Sequence, residues 1–290
     1  MPFLHWFRHA FRVPAERIVA VSRGGADAWY RDIADRYVDI WDFVEPAEFA
    51  RRNIERGITK HFEPSPLDHD VLAFVAQRLG TSDFVVLHPG HMYRLFQLYW
   101  SGQRAMGFVD QHLRFTRVAA PAVIDRSLLP REYIAAKFYA AQSLPDTPAM
   151  RAQLRTMVAA MAERMPVVLL DTGLVLDEHA DYELQGGRVI SARQWMTPRN
   201  NLGVQTQIVA GARAFVGTCG SIAWLAPRLG VDTSAFYVDP KWLHAHLAVA
   251  MRAYHKLGAG RFAPADLRAL DLLPTPLAFT GPQRHGDTEI

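Results

Sequence analysis

Short β-rich runs alternate with helix-length stretches along the chain, and this alternation constrains the fold more than any other feature. A parallel strand needs a crossover long enough to hold a helix before its neighbour begins, so the pattern points to parallel sheets covered by helices. Strands are expected at 17–22, 37–41, 84–88, 133–140, 167–171, 188–191, 214–217 and 234–238. Helices are expected at 46–56, 68–79, 92–101, 148–164, 200–212, 221–229 and 241–256. No internal repeat or low-complexity tract interrupts the series.

At 290 residues the chain suits one large domain or two modest ones. The stretch 118–130 contains Pro121 and Pro130 and has no clean period, so it reads as the connection between two halves. Domains are therefore expected at 1–128 and 129–290. The second gives a complete β-α-β-β-α-β-α-β-α series, the order of a Rossmann-like unit. The first looks reduced: it opens on a helical pattern rather than a strand with a glycine-rich turn, unless the reading frame starts further upstream. The Phe, Leu and Trp residues between 3 and 11 fit a helix packed on its own domain, or a face resting on a membrane surface. The segment after Gly258 is rich in Pro, Gly and polar residues, and its last ten residues are expected to be mobile.

Charge and cysteine usage exclude some classes. A net charge of +3 arises from arginines scattered among acids, without the basic runs of a nucleic-acid arm. Cys219 is the only cysteine, which rules out an internal disulfide framework and fits a reducing cytoplasm. No stretch approaches the roughly 18 apolar residues that span a bilayer. The opening MPFLHWFRHAFRVP lacks the small-residue cleavage site of a signal peptide.

The most informative run is Gly217-Thr218-Cys219-Gly220-Ser221, between an apolar strand and an amphipathic helix. Two glycines permit a tight turn that would aim helix N–H groups at an anion, with the Thr218 and Ser221 hydroxyls as further donors. Spacing alone suits an ordinary strand-to-helix turn equally well. Lys137 interrupts an apolar strand, so it should meet either a carboxylate or an anion in the crevice. Asp171 closes the run VVLLD, where it could hold a ribose hydroxyl or base edge, or cap the turn. Arg199 has the fork that grips a phosphate, while Asn200 or Asn201 suits an N-cap. In the first half, Arg23, Gly24 and Gly25 follow one strand, and His88 and His91 follow another. Either histidine is chemically suited to take a proton from a sugar hydroxyl, or to be satisfied in its turn.

Other signals are weaker. Asp68-His69-Asp70 has a metal-binding D-x-D form but opens a helix, with Asp68 as its expected N-cap. Asp177, His179 and Asp181 read as an exposed acidic loop rather than metal ligands. His244, His246 and His255 share a helix without the spacing of a zinc site. Cys219 reads as a small turn residue rather than a nucleophile. No metal or cofactor is expected.

The run NLGVQTQIVAGARAFVGTCGSIAWLAPRLGVDTSAFY resembles the donor-binding half of GT-B glycosyltransferases that act in bacterial surface-polysaccharide biosynthesis. The preceding YIAAKFYAAQSLPDT and PVVLLDTG look like the opening of that half, and the resemblance covers about 131–256. It implies two Rossmann-like domains facing a cleft, with Gly217, Thr218, Cys219, Gly220 and Ser221 as donor-phosphate contacts. Lys137 and Arg199 would join them, Asp171 would hold the ribose or base, and Arg23, Gly24 and Gly25 would form an acceptor-side loop. The expected activity is metal-independent transfer of a sugar from a nucleotide diphospho-sugar to a glycan or lipid-linked glycan hydroxyl. His88 or His91 would be the base. The expected setting is the cytoplasm, at the inner face of the membrane if the chain associates with it peripherally, with no nucleic-acid partner. The rival readings are a nucleotide-sugar epimerase and a non-catalytic sugar-nucleotide or glycan-binding protein.

Overall fold

A computed structural model describes residues 15–57, 62–113, 116–177, 179–241 and 243–272. The N-terminal 3–11 segment and the last ten residues lie outside them. The chain is an α/β protein with two separate parallel sheets. A two-stranded sheet pairs β1 (Val19–Ser22) with β2 (Arg36–Asp39). A six-stranded sheet has the order β5-β4-β3-β6-β7-β8. Its strands are β3 (Ile134–Lys137), β4 (Val167–Leu169), β5 (Val189–Ser191), β6 (Ala214–Thr218), β7 (Thr233–Tyr237) and β8 (Phe262–Asp266). Counted within this half the order is 3-2-1-4-5-6, the doubly wound arrangement, with β3 and β6 at the point where the order reverses.

Between and around the strands lie α1 (Pro46–Arg56), α2 (Pro66–Leu79), α3 (Pro89–Trp100), α4 (Met106–Asp110), α5 (Pro148–Arg164), α6 (Asn201–Ala210), α7 (Ser221–Leu225) and α8 (His244–Leu257). Local chemistry sets several ends. Proline occupies the first turn of α1, α2, α3 and α5, where its missing N–H costs nothing. Thr147 caps α5 by accepting the Met150 N–H at 3.2 Å. Ser65 and Asp68 form a reciprocal capping box on α2, so Asp68 is the third helical residue of that box and not the N-cap expected of it.

The large sheet is covered on both faces because its buried strands alternate. Ala135, Val168, Leu170, Phe215 and Ala235 face Val204, Ile208, Leu225, Ala250 and Tyr254 from α6, α7 and α8. Ile134, Ala136, Val167, Leu169, Val216 and Phe236 face Met150, Leu154, Val158 and Met161 from α5. Leu154 and Val158 are essentially inaccessible, and burying each contributes roughly 1.5–3 kcal/mol.

Two expectations fail. Residues 84–88 pair with no strand, and Val85 stays 73% exposed. The apolar run is there, but among the described residues β1 pairs only with β2. Beyond Gly258, where polar composition suggested a tail, β8 pairs with β7 over five residues. Met106–Asp110 forms a short helix that the sequence pattern did not reveal.

The first half is sewn to the second. Gly24 O accepts the Leu202 and Gly203 N–H groups at 2.9 and 3.1 Å and so caps α6. Trp29 Nε1 donates to Thr206 Oγ1 at 2.9 Å, and Asn53 Nδ2 to Leu176 O at 2.9 Å. The connection is anchored too: Gln207 Oε1 accepts the Val123 and Ile124 N–H groups, and the wholly buried Arg228 donates through Nε to Thr116 O at 2.8 Å.

Candidate functional site

The carboxyl ends of β3 and β6 part company where the chain leaves the sheet in opposite directions, and the crevice beyond them is where open α/β sheets bind ligands. Lys137 ends β3 and Thr218 ends β6. The glycine-rich turn follows, and each of its residues has a distinct place. A Cβ on Gly217 would lie 2.2 Å from the Lys137 carbonyl oxygen, so this glycine lets the two strands approach. Thr218 Oγ1 accepts the Tyr139 N–H at 2.9 Å and donates to Tyr139 O at 3.1 Å, which ties the segment after β3 to the end of β6. Cys219 is buried, its N–H donates to Phe236 O, and burial pushes its thiol up to about 12. These three residues tie β6 to the strands on either side of it.

Gly220 is half-buried and Ser221 exposed, and Tyr139 covers Gly220. A Cβ on Gly220 would fall 1.5 Å from the Tyr139 hydroxyl oxygen. That oxygen lies by the Ser221 N–H, and burial raises the phenol above its ordinary value. The position a bound anion would take on this N–H is filled by a side-chain oxygen on two rotatable bonds.

The loop from β4 to β5 forms the next wall. Asp181 is largely buried: it receives Lys137 Nζ at 3.0 Å through Oδ1, and the Thr172 N–H and hydroxyl at 2.7 and 3.2 Å through Oδ2. Lys137 also donates to Leu170 O at 2.8 Å. Of its two expected partners the carboxylate is the one observed. Asp177 Oδ1 accepts the His179 N–H at 2.9 Å and lies 2.8 Å from His179 Nδ1. The half-exposed His179 ring stands edge-on to Tyr139, centroids 5.1 Å apart. Asp177 and Asp181 thus turn to different partners, and among the described residues no group of three or more His, Cys, Asp or Glu could hold a metal. The expected exposed acidic loop is a clasp with Asp181 inside it. Asp171 accepts from Ser191 Oγ at 2.7 Å, and burial raises its carboxyl above the ordinary value despite that bond.

From the first half, the turn after β1 comes against the start of α6. Gly24 and Gly25 adopt φ of 67° and 69°, and Gly25 N–H donates to Asp39 Oδ2 at 3.0 Å. A Cβ on Gly24 would meet Asn201 Nδ2 at 2.8 Å, so the turn packs on α6 itself. The Arg23 guanidinium lies over the Phe49 ring, 5.0 Å from its centroid. Arg199, expected at a phosphate, pairs with Asp42 at 2.6 Å and donates to Trp41 O at 2.8 Å.

His88 caps α3: its Nδ1 accepts the Gly90 N–H at 3.0 Å, which leaves the ring proton on Nε2, 3.7 Å from Asp68 Oδ2. Its Nδ1 is thus taken up by the turn that opens α3. His91 is exposed on α3.

Sequence reasoning missed Tyr139 as a crevice residue. A signal existed: it lies two positions beyond Lys137, and extended chain returns every second side chain to the same face.

The fold is that of a doubly wound α/β protein whose strand order reverses between β3 and β6. No protein-family model matches the chain, and no curated protein matches it. Among solved structures it is similar to a glycotransferase of kitacinnamycin, at 13% identity and TM-score 0.33 over 72% of this chain and 56% of that one. It is also similar to Thermosulfurimonas dismutans KpsC, a beta Kdo 2,4 transferase, at 12% identity and TM-score 0.28 over 65% and 49%. The chain spans about half the length of these structures. Similarity this slight bears on neither substrate nor activity. No helix among the described residues is long and apolar enough to cross a membrane.

Proposed function

We propose that the chain is a glycosyltransferase of the GT-B type, with Rossmann-like units at 1–128 and 129–290 facing the crevice. The observation that carries the reading is the Gly220–Ser221 turn at the β3–β6 switch point, where one rotatable phenol occupies the place of an anion. Rotation of Tyr139 would open Gly220 and the Ser221 N–H to the diphosphate of a nucleotide-sugar. Asp171, at the end of β4, would meet the ribose or base. Transfer needs no metal in this scheme, because fixed N–H donors and a cation stabilise the leaving diphosphate. The acceptor, a glycan or lipid-linked glycan hydroxyl, would approach from the first half.

His179 takes the place of His88 as base. Its Nδ1 is held by Asp177, its Nε2 makes no hydrogen bond among the described residues, and it stands beside the ring that covers the turn. This is the geometry in which a carboxylate orients an imidazole for proton transfer. Incubation with a panel of nucleotide-sugars in EDTA, with and without hydroxyl acceptors, tests the reading by product analysis. Acceptor-dependent release of nucleoside diphosphate is expected. An altered sugar epimer formed without acceptor would establish the epimerase instead, and binding without turnover would establish a binding protein.

A further inference from the structure

We propose that Arg23 binds an oxyanion, a phosphate or carboxylate of the substrate, where the two halves meet, with Trp41 Nε1 as a second donor. The inference adds a ligand class to the proposed function and rests on it for the crevice being the ligand site.

Arg23 follows β1 and carries one of the few wholly buried polar atoms without a partner: its Nη1. Its guanidinium makes no hydrogen bond or ion pair among the described residues. It lies over the Phe49 ring, 5.0 Å from Cζ to centroid. Trp41 Nε1 is a second buried donor without an acceptor, and its ring stands edge-on to the same Phe49 at 5.3 Å between centroids. Both groups can only donate and both lie against the same ring, so each calls for an acceptor. Their position is interfacial. Phe49 lies on α1, whose Asn53 holds Leu176 O of the β4–β5 loop, and Asp177, next in sequence, orients His179.

Electrostatics agree with a waiting site rather than a structural pair. Burial pulls the Arg23 guanidinium down from its ordinary value, and Asp177 and Asp39 act against that from outside ion-pair distance. The Asp39 oxygens are occupied by Gly25 N–H, Tyr37 Oη and Trp41 N–H, and Asp177 Oδ1 by His179. A buried cation left without a hydrogen bond is costly. Such a group lowers stability in the empty protein and gains its partner on binding.

That cost makes the inference testable apart from catalysis. Calorimetry on the full chain would measure pyrophosphate, uridine diphosphate and glucuronate separately, with Arg23→Met, Arg23→Lys and Trp41→Phe alongside. Wild type should bind at least one probe. Arg23→Met should weaken it tenfold or more while melting no lower than wild type, with Arg23→Lys between them and Trp41→Phe losing less. Preference for the diphosphates assigns the site to a phosphate, and preference for glucuronate to an acidic sugar. Equal binding by Arg23→Met, or no binding of any probe by wild type, overturns the proposal and means that water satisfies these donors. A marked fall in melting temperature with unchanged binding also overturns it. Arg23-dependent binding without sugar transfer would leave this inference standing and remove the glycosyltransferase reading, and transfer indifferent to Arg23 would do the reverse.

Discussion

The phenol of Tyr139 lies directly over Gly220, with its oxygen on the Ser221 N–H. Gly220 has φ of −168°, extended backbone that any residue adopts, so its need for glycine is a matter of room and not of strain. Gly220→Ala should expel the ring and cost about 1–3 kcal/mol, the range for an overpacked site. Once Tyr139→Ala has emptied that space the same change should cost little. A double-mutant cycle by urea unfolding should therefore show coupling of at least about 1 kcal/mol. Additive costs would mean that the two residues do not share the space.

Proton transfer separates the three histidines. His179→Ala should lower turnover about a hundredfold or more and leave nucleotide-sugar affinity nearly intact, because a general base acts in the transition state. Added imidazole should restore part of the rate, and Asp177→Asn should lower turnover with the Michaelis constant held. His91→Ala should be neutral. His88→Ala should instead act on stability by about 1 kcal/mol, the cost of a lost cap. Full activity in His179→Ala would return the base to the first half.

Acid should weaken the fold in two steps. Burial against Trp100 and Phe96 lowers His246 from 6.5 to about 4. The unfolded chain then takes up this proton before the folded one does, so stability falls between about pH 6.5 and 4. Asp68 behaves in the same sense lower down. Burial opposes its charge, but His88, Ser65 and Arg56 outweigh it and hold the carboxyl at about 2. Its contribution is present above 3.8 and lost as pH falls toward 2. His246→Leu should flatten the upper step in urea midpoints measured at pH 7, 5 and 4. An unchanged slope would place the titration elsewhere.

How far the sequence revealed this arrangement depended on whether the information was local. The helices at 46–56 and 148–164 match their observed bounds because Pro at N1 marks the start of each, with Gly57 at the end of the first and Thr147 before the second. The central strands were legible because burial on both faces leaves continuous apolar runs such as YIAA and VVLL. Strand β8 was not, since Pro264 within FAPAD argues against a strand unless an edge position excuses its missing donor, and edge position is a tertiary fact. The stretch at 84–88 erred the other way: β propensity was present and a pairing partner was not. Candidate residues at the switch point were legible from the strand-to-helix turn. Their division of labour was not, because whether Thr218 faces a ligand or Tyr139 depends on where a strand 79 residues earlier lies.

The Lys137–Asp181 pair decides whether the crevice lysine is structural or a phosphate ligand. Both side chains are largely buried, the ion pair is 3.0 Å long, and Thr172 completes the shell of the carboxylate. Lys137→Met would leave Asp181 buried without its cation, and breaking such a pair costs about 3–5 kcal/mol. Replacing both members, as Lys137→Met with Asp181→Leu, should recover much of that loss, since two apolar groups need no partners, while the Thr172 donors are left to find water. If this is the role of Lys137, the double variant should keep nucleotide-sugar affinity within a few fold of wild type. A lysine that reaches the diphosphate gives the opposite result: affinity should fall tenfold or more in the double variant, about 1.4 kcal/mol, whatever its stability. Thermal melts and calorimetry on the same preparations separate the two outcomes, and a recovered fold with lost affinity would move Lys137 from the clasp to the donor site.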